Sequence, residues 1–271
     1  NGFAYDWMPK RDTAYDIMAI FERMHQGKVN GFIVQGFNPL AAVPNKKKLS
    51  QALAKLKYLV VMDPLETETS EFWKNFGPLN DVNPAEIKTE VFRFPTTCFA
   101  EETGTFTNSS RVINWKDKAV DGPGESKPDS EIMARLFVRL RAMYAKDGGA
   151  LPEPIAALAW PYLNANVPNP GEVLREISGK ALADVMPLPV PGAPVDPKAP
   201  PPVALVKAGE QLPGFAMLRD DGSTSCGNWS YSGCWGPTGN LTARRDTSDP
   251  TGLGVFPGWG YSWPANRRIL Y

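Results

Sequence analysis

The chain has 271 residues, 42% of them apolar and 21% charged, and its 29 Lys+Arg balance 29 Asp+Glu to a formal net charge of zero. This balance excludes the basic footprint of a nucleic-acid binder, and the longest apolar runs are too short to span a membrane directly. The length allows one or two hydrophobic cores.

Cysteines are few: Cys98, Cys226 and Cys234 form no Cys-x-x-Cys pair, and the single His25 cannot complete a zinc or iron–sulfur ligand set with them. Two readings stay open for Cys226 and Cys234, a disulfide in an oxidising compartment or two free thiols. The opening NGFAYDWMPKRD has no initiator Met, and Tyr271 follows Asn-Arg-Arg-Ile-Leu without a tail, so an internal fragment of a longer polypeptide is expected.

The first predicted element is a helix over 12–26, where Ala14, Ile17, Met18, Ile20, Phe21 and Met24 recur at helical spacing. Asp12 or Thr13 would cap it and Gly27 would stop it. His25 falls in the last turn, which favours a cation, although a plain surface histidine is the simpler reading.

Two short β-branched runs follow, Gly31–Gln35 and Tyr58–Met62, separated by a helix over Lys46–Lys57 whose Leu49, Ala52, Leu53 and Leu56 share one face. Its lysines read as a solvated helix back rather than a phosphate patch. Strand, loop, helix, strand, loop is the βαβ pattern of a parallel sheet, and ligands of such sheets bind outside the carboxyl ends of the strands. The loops Gly36-Phe37-Asn38-Pro39 and Asp63-Pro64-Leu65-Glu66-Thr67 would lie there.

Glu90–Phe94 is a further strand candidate, and Phe99–Asn114 reads as an ordered loop leading into a strand. Residues 130–146 form the strongest predicted helix, with Ile132, Leu136, Leu140 and Tyr144 as its core stripe, Asp129 or Ser130 as its cap and Gly148-Gly149 as its stop. A shorter helix is expected over Pro170–Ile177. From Pro187 to Pro202 there are eight prolines in sixteen residues, which excludes a packed helix or central strand and predicts a linker or strap. Beyond it, 222–264 carry Trp229, Trp235, Trp259 and Trp263 among many glycines with little periodicity, so this segment is expected to bury its aromatics on another surface.

Several of these residues could carry binding chemistry. Gly36 permits close approach of a ligand, and the Asn38 amide can donate to and accept from a nucleobase or phosphate; an Asn-Pro turn uses the same residues. Asp63, ending the second strand, can accept two hydrogen bonds from a ribose diol or a guanine edge, or can cap the turn, as Thr67 and Thr69 can. Glu101 and Glu102, neighbours on an expected strand, point to opposite faces and do not form an acid–base pair. Asp129 is most simply a helix cap, but a second carboxylate at this crevice would also suit a purine.

In order, VNGFIVQGFNPLAAVPN, LKYLVVMDPLETETSEFW, FPTTCFAEETGTFTNSSR and GESKPDSEIMARLFVRLRAMY resemble the molybdopterin oxidoreductase family. LRDDGSTSCGNWSYSGCWGPTGNLTARRD and DPTGLGVFPGWGYSWPANRRILY narrow the resemblance to the large subunits of its respiratory formate dehydrogenases of the N and O type.

The resemblance implies an α/β fold: a Rossmann-like parallel-sheet βαβ unit of a molybdopterin-binding domain, then helices and an irregular Gly/Trp-rich extension. The corresponding division is 1–130, a helical continuation 131–186, a Pro-rich linker 187–215 and the extension 216–271. It implies bis-molybdopterin guanine dinucleotide, with molybdenum or tungsten, as cofactor, and Gly36, Asn38, Met62, Asp63, Thr67, Glu102 and Asp129 as cofactor-contacting positions. Relatives can carry Lys where Glu102 stands.

It further implies formate as substrate and, as partners, the rest of the same subunit, an iron–sulfur beta subunit and a membrane cytochrome b subunit, on the periplasmic side of the inner membrane. The family's cluster cysteines for a 4Fe–4S centre, its selenocysteine or cysteine metal ligand followed by His, and its substrate-side Arg have no match here. Catalytic and metal-ligating residues are therefore expected outside 1–271. The rival reading is a stand-alone nucleotide-binding or scaffold module without redox chemistry.

Overall fold

The computed structural model describes residues 7, 16–107, 111–188, 192 and 200–263. Two compact units emerge, one of Asn1–Glu102, Ala119–Pro161 and Ala165–Val167, the other of Thr103–Lys118, Tyr162–Asn164 and Pro168–Tyr271.

In the first unit, helix α1 (Ile17–His25) starts at Asp16, whose carboxylate accepts the Ala19 amide at 2.8 Å. This corrects the expected start; Asp12, Thr13 and Ala14 lie outside the described residues. Strand β1 (Gly31–Gln35) leads to a single turn, α2 (Pro39–Ala42), with Pro39 in the first helical position, where its missing N–H costs nothing. Helix α3 (Lys46–Leu53) begins at Asn45 and ends before the expected Lys57, because the Lys57 and Tyr58 amides both donate to the Asn30 carbonyl and draw the chain into β2 (Tyr58–Asp63). Strand β3 (Glu90–Pro95) completes a three-stranded, wholly parallel sheet of order β1-β2-β3.

One face of this sheet is the core. Val34, Leu59 and Val61 pack against Phe21 and Met24 of α1, Leu49, Ala52 and Leu53 of α3, and Phe72 in the β2–β3 connection. Phe21 meets Phe32 edge-on, with ring centroids 5.9 Å apart. The period-two alternation of the strands sends Ile33, Val60, Met62, Phe92 and Phe94 to the opposite face.

Helix α4 (Asp129–Asp147) borders that second side, its Ile132, Met133 and Leu136 lining one groove with Ile33, Val60, Met62 and Phe94. Pro128 occupies the capping position and makes no side-chain cap bond, so Asp129 is the first helical residue, contrary to expectation. The expected core stripe is also corrected: Ala134 is the one buried residue of α4, while Leu136 and Leu140 are 41% and 36% exposed. Gly148 ends the helix, and α5 (Pro152–Ala157) follows.

The second unit opens with a hairpin, β4 (Gly104–Thr107) against β5 (Val112–Lys116), within the stretch expected to be mainly loop. Helix α6 (Pro170–Ile177) matches its prediction. After it, among the described residues, the strands are two residues long, β6 (Lys180–Ala181), β7 (Thr224–Ser225), β8 (Trp235–Gly236), β9 (Gly239–Asn240) and β10 (Tyr261–Ser262), interspersed with single 3-10 turns at Phe215–Met217, Trp229–Tyr231 and Leu241–Ala243. A small cluster of Ala181, Val185, Val206 and Leu212 supplies its apolar centre. Asn228, Asn240, Asp246 and Asp249 each accept the amide two residues on, local bonds that order chain without periodic burial. Trp229 and Trp259 are 43% and 42% exposed within this chain. The expected 187–202 strap falls largely outside the described residues. Cys98, Cys226 and Cys234 are free thiols, and burial pushes the Cys234 thiol up to about 11.

Candidate functional site

The carboxyl ends of β1, β2 and β3 carry most of the predicted positions. Gly36, just past β1, adopts φ 57°, the left-handed region that glycine enters without strain, and its amide donates to the Met62 carbonyl at 2.9 Å. That bond ties the two strand ends together. Met62 itself is 1% exposed.

Asp63 follows, its Oδ1 accepting the Leu65 amide at 2.9 Å in the turn expected of Asp-Pro. The end of β3 is strapped to the start of α4: the Lys127 amide donates to the Pro95 carbonyl at 3.2 Å, and the Thr97 amide to the Lys127 carbonyl at 3.1 Å. This strap brings Asp129 beside Gln35 and Asp63.

Asp129 is the unusual group of the cluster. Its Oδ1 is buried and accepts no hydrogen bond among the described residues. Burial pushes its carboxyl above the usual range, the neighbouring Asp63 charge adds to that rise, and Gln35 opposes it. A buried carboxylate oxygen without a donor is costly on its own and becomes favourable once a ligand supplies an N–H.

Asn38 and Thr67 belong to a neighbouring network. Asn38 Nδ2 donates to Glu68 at 2.6 Å, and its Oδ1 accepts the Thr69 hydroxyl at 2.7 Å. The Asn38 amide is thus committed within the protein, and its bond holds Glu68 below the usual carboxylate range. Thr69 Oγ1 also accepts the Leu40 amide at 3.1 Å. Thr67 exchanges bonds with Ser70, which fixes the second loop.

Glu101 and Glu102 lie in a bend, not on a strand as expected. Glu101 accepts the Cys98 amide at 2.8 Å, and Glu102 accepts the Thr97 hydroxyl at 3.4 Å. Opposite-face geometry therefore does not apply to them; each is occupied in holding the Thr97–Glu102 turn.

Gln35 and Glu68 were not singled out by sequence reasoning. Gln35 had a usable signal, being the one polar residue at the tip of an apolar strand. Glu68 is hidden in the run Glu66-Thr67-Glu68-Thr69, which looks like ordinary solvated loop. Among the described residues no group of His, Cys, Asp and Glu could hold a metal ion, and no helix is long and apolar enough to cross a membrane.

The cluster presents acceptors: the Asp63 and Asp129 carboxylates with the Gln35 amide beside them. Such a set recognises a ligand edge bearing N–H or O–H donors.

Comparison with known proteins gives the chain its relatives. Residues 92–139, from β3 through the Asp129 strap into α4, match the family model for molybdopterin oxidoreductase. The whole chain is 51% identical to the formate dehydrogenase-O major subunit of Escherichia coli (strain K12), covering 26% of that protein. It is 47% identical to the nitrate-inducible formate dehydrogenase major subunit of the same organism, again over the whole chain and 26% of the relative. The formate dehydrogenase 2 subunit alpha (cytochrome c-553) of Nitratidesulfovibrio vulgaris is 38% identical over 277 residues, 25% of its length. The chain therefore spans about a quarter of the length of the curated relatives it matches.

Proposed function

The chain belongs to the molybdopterin oxidoreductase family, and from that premise we propose that its first unit grips the guanine nucleotide end of a bis-molybdopterin guanine dinucleotide within a formate dehydrogenase large subunit. The observation that carries the reading is the buried, unpartnered Asp129 Oδ1 beside Asp63 and Gln35 at the strand ends. A guanine edge offers N1–H and an exocyclic amine, two donors side by side, and a carboxylate accepts both. The residues present fit that group.

In this reading Asp129 takes the base edge and Asp63 the base or ribose hydroxyls, while Gly36 leaves room for close approach. Met62 packs beneath the nucleotide. Asn38, Thr67 and Glu102 act by fixing the loops that frame it. When bound, the molybdenum or tungsten pterin supplies the two-electron redox chemistry by which formate becomes carbon dioxide. The chain itself binds and orients the remote end of that group. Its own residues take no part in bond breaking, so the chain alone is inactive. The rest of the subunit would hold the metal ligand and a 4Fe–4S cluster, and an iron–sulfur subunit and a cytochrome b subunit would receive electrons at the periplasmic side of the inner membrane.

The test is nucleotide content. In the complete subunit, Asp129→Asn and Asp63→Ala should each lower the GMP released by acid hydrolysis of purified protein at least about tenfold, the loss of roughly one charged hydrogen-bonded contact. Unchanged GMP per subunit in both variants sinks the proposal.

A further inference from the structure

The second face of the parallel sheet is open. A groove of about 510 Å³ runs between that face and α4, floored by Ile33, Val60, Met62 and Phe94 and walled by Met133 and Leu136. Ile33 is 50% exposed and Phe94 44%. Parallel sheets carry cover on both faces, since their crossovers deposit helices there, and both faces are accordingly apolar.

The cover already in place explains which part is lacking. Right-handed crossovers put all connections of strands laid down in one direction on a single face. The steps β1–α3–β2 and β2–β3 run one way, and both connections, α3 and the Phe72 segment, pack on the same core face. The opposite face is therefore left to elements from elsewhere. Helix α4 occupies part of it but leaves Met133, Leu136, Leu140 and Met143 exposed, too apolar a stripe for a finished surface.

The charged rim carries Lys127, Arg135 and Arg139 against one carboxylate, Glu125. Lys127 and Arg135 both pair with Glu131, at 3.6 and 2.8 Å. Arg139, one turn further along the groove, makes no ion pair among the described residues.

We infer that this groove seats an amphipathic helix from the remainder of the same subunit, apolar toward Ile33, Phe94 and Leu136 and acidic toward Arg139. The inference rests on the reading of the chain as part of a longer subunit. Relatives nearly four times its length supply ample polypeptide for such a cover. An apolar floor with one unmatched cation on the wall asks for an amphipathic partner whose charged flank is acidic, which also sets the orientation of the incoming helix.

The complete subunit provides the test. A photo-crosslinking residue placed at Leu136, and separately at Met133, should attach to a helical segment of the same polypeptide outside residues 1–271, one that carries Asp or Glu. Arg139→Glu should cut that crosslink several-fold, and Arg139→Lys should retain it. Absence of a crosslink at both positions, attachment to another subunit or to a second copy, or indifference to Arg139→Glu would overturn the inference. Because the GMP readout concerns the strand ends and the crosslink concerns the sheet face, the two proposals fail separately.

Discussion

The two units are ordered by different forces. The βαβ unit is held by one contiguous apolar core, in which Phe72, Leu53 and Leu59 are fully buried against strands and helices distant in sequence. The Gly/Trp-rich unit has a four-residue apolar cluster, and its order comes from side chains that accept backbone amides two residues away and from glycines in conformations other residues resist. The first kind of order leaves a periodic trace in sequence; the second leaves scattered Asn, Asp and Gly that look like loop.

Substitutions can break or sharpen this contrast. Phe72→Ala should cost the first unit about 4 kcal/mol, the usual loss for a buried phenylalanine, seen as an earlier urea transition in helical circular dichroism. Gly233→Ala should cost the second unit about 3 kcal/mol, from left-handed strain and overpacking. At Gly233, φ is 84° and an added Cβ would sit 2.6 Å from the Pro213 carbonyl oxygen. Tryptophan fluorescence should follow that loss, because Trp115, Trp229, Trp235, Trp259 and Trp263 all belong to this unit. If either variant moves both signals equally, the units unfold together and the contrast in their energetics has no separate readout.

Asn240→Ala, which removes the acceptor for the Thr242 amide at 3.0 Å, should cost about 1 kcal/mol, again in fluorescence. A result near zero would mean that such local bonds do not hold the second unit.

The smallest effect is a pH dependence. Asp129 has its carboxyl pushed above the ordinary range by burial. The folded state then holds a proton that the unfolded state has released, so stability is full below the ordinary carboxylate value and falls as pH rises through the elevated one. Asp129→Asn should flatten that fall, giving a higher urea midpoint than the parent at pH 7 and the same midpoint at pH 3. A variant that parallels the parent at both would remove Asp129 as the titrating group.

What the sequence made legible follows the same division. The strands Gly31–Gln35, Tyr58–Met62 and Glu90–Phe94, the helix Pro170–Ile177 and the parallel arrangement were readable because burial on one face imposes a period. Asp63 and Gly36 were readable as strand-end residues. Their meeting with Asp129 was not, because it depends on the Lys127 strap to Pro95 and Thr97, a backbone contact with no side-chain signature. The α4 stripe was misplaced in the core for a related reason: periodicity reports that a face is apolar, not which polypeptide covers it. The Asn38 amide looked available to a ligand, and its engagement by Glu68 and Thr69 across thirty residues of chain could not be inferred from the tetrapeptide.

The Gly36 amide has one further consequence. Loops that cradle phosphates do so with several backbone N–H groups aimed outward. Here Gly36 has spent its amide on Met62, and the amides of Leu40, Ala41 and Ala42 are spent on Thr69 and the Asn38 carbonyl. Those four amides are not offered to an anion. Chemical selectivity at this end of the sheet should therefore follow the ligand's hydrogen-bond donors rather than its negative charge. Neutral guanine-like heterocycles should then compete for the proposed site better than inorganic phosphate does.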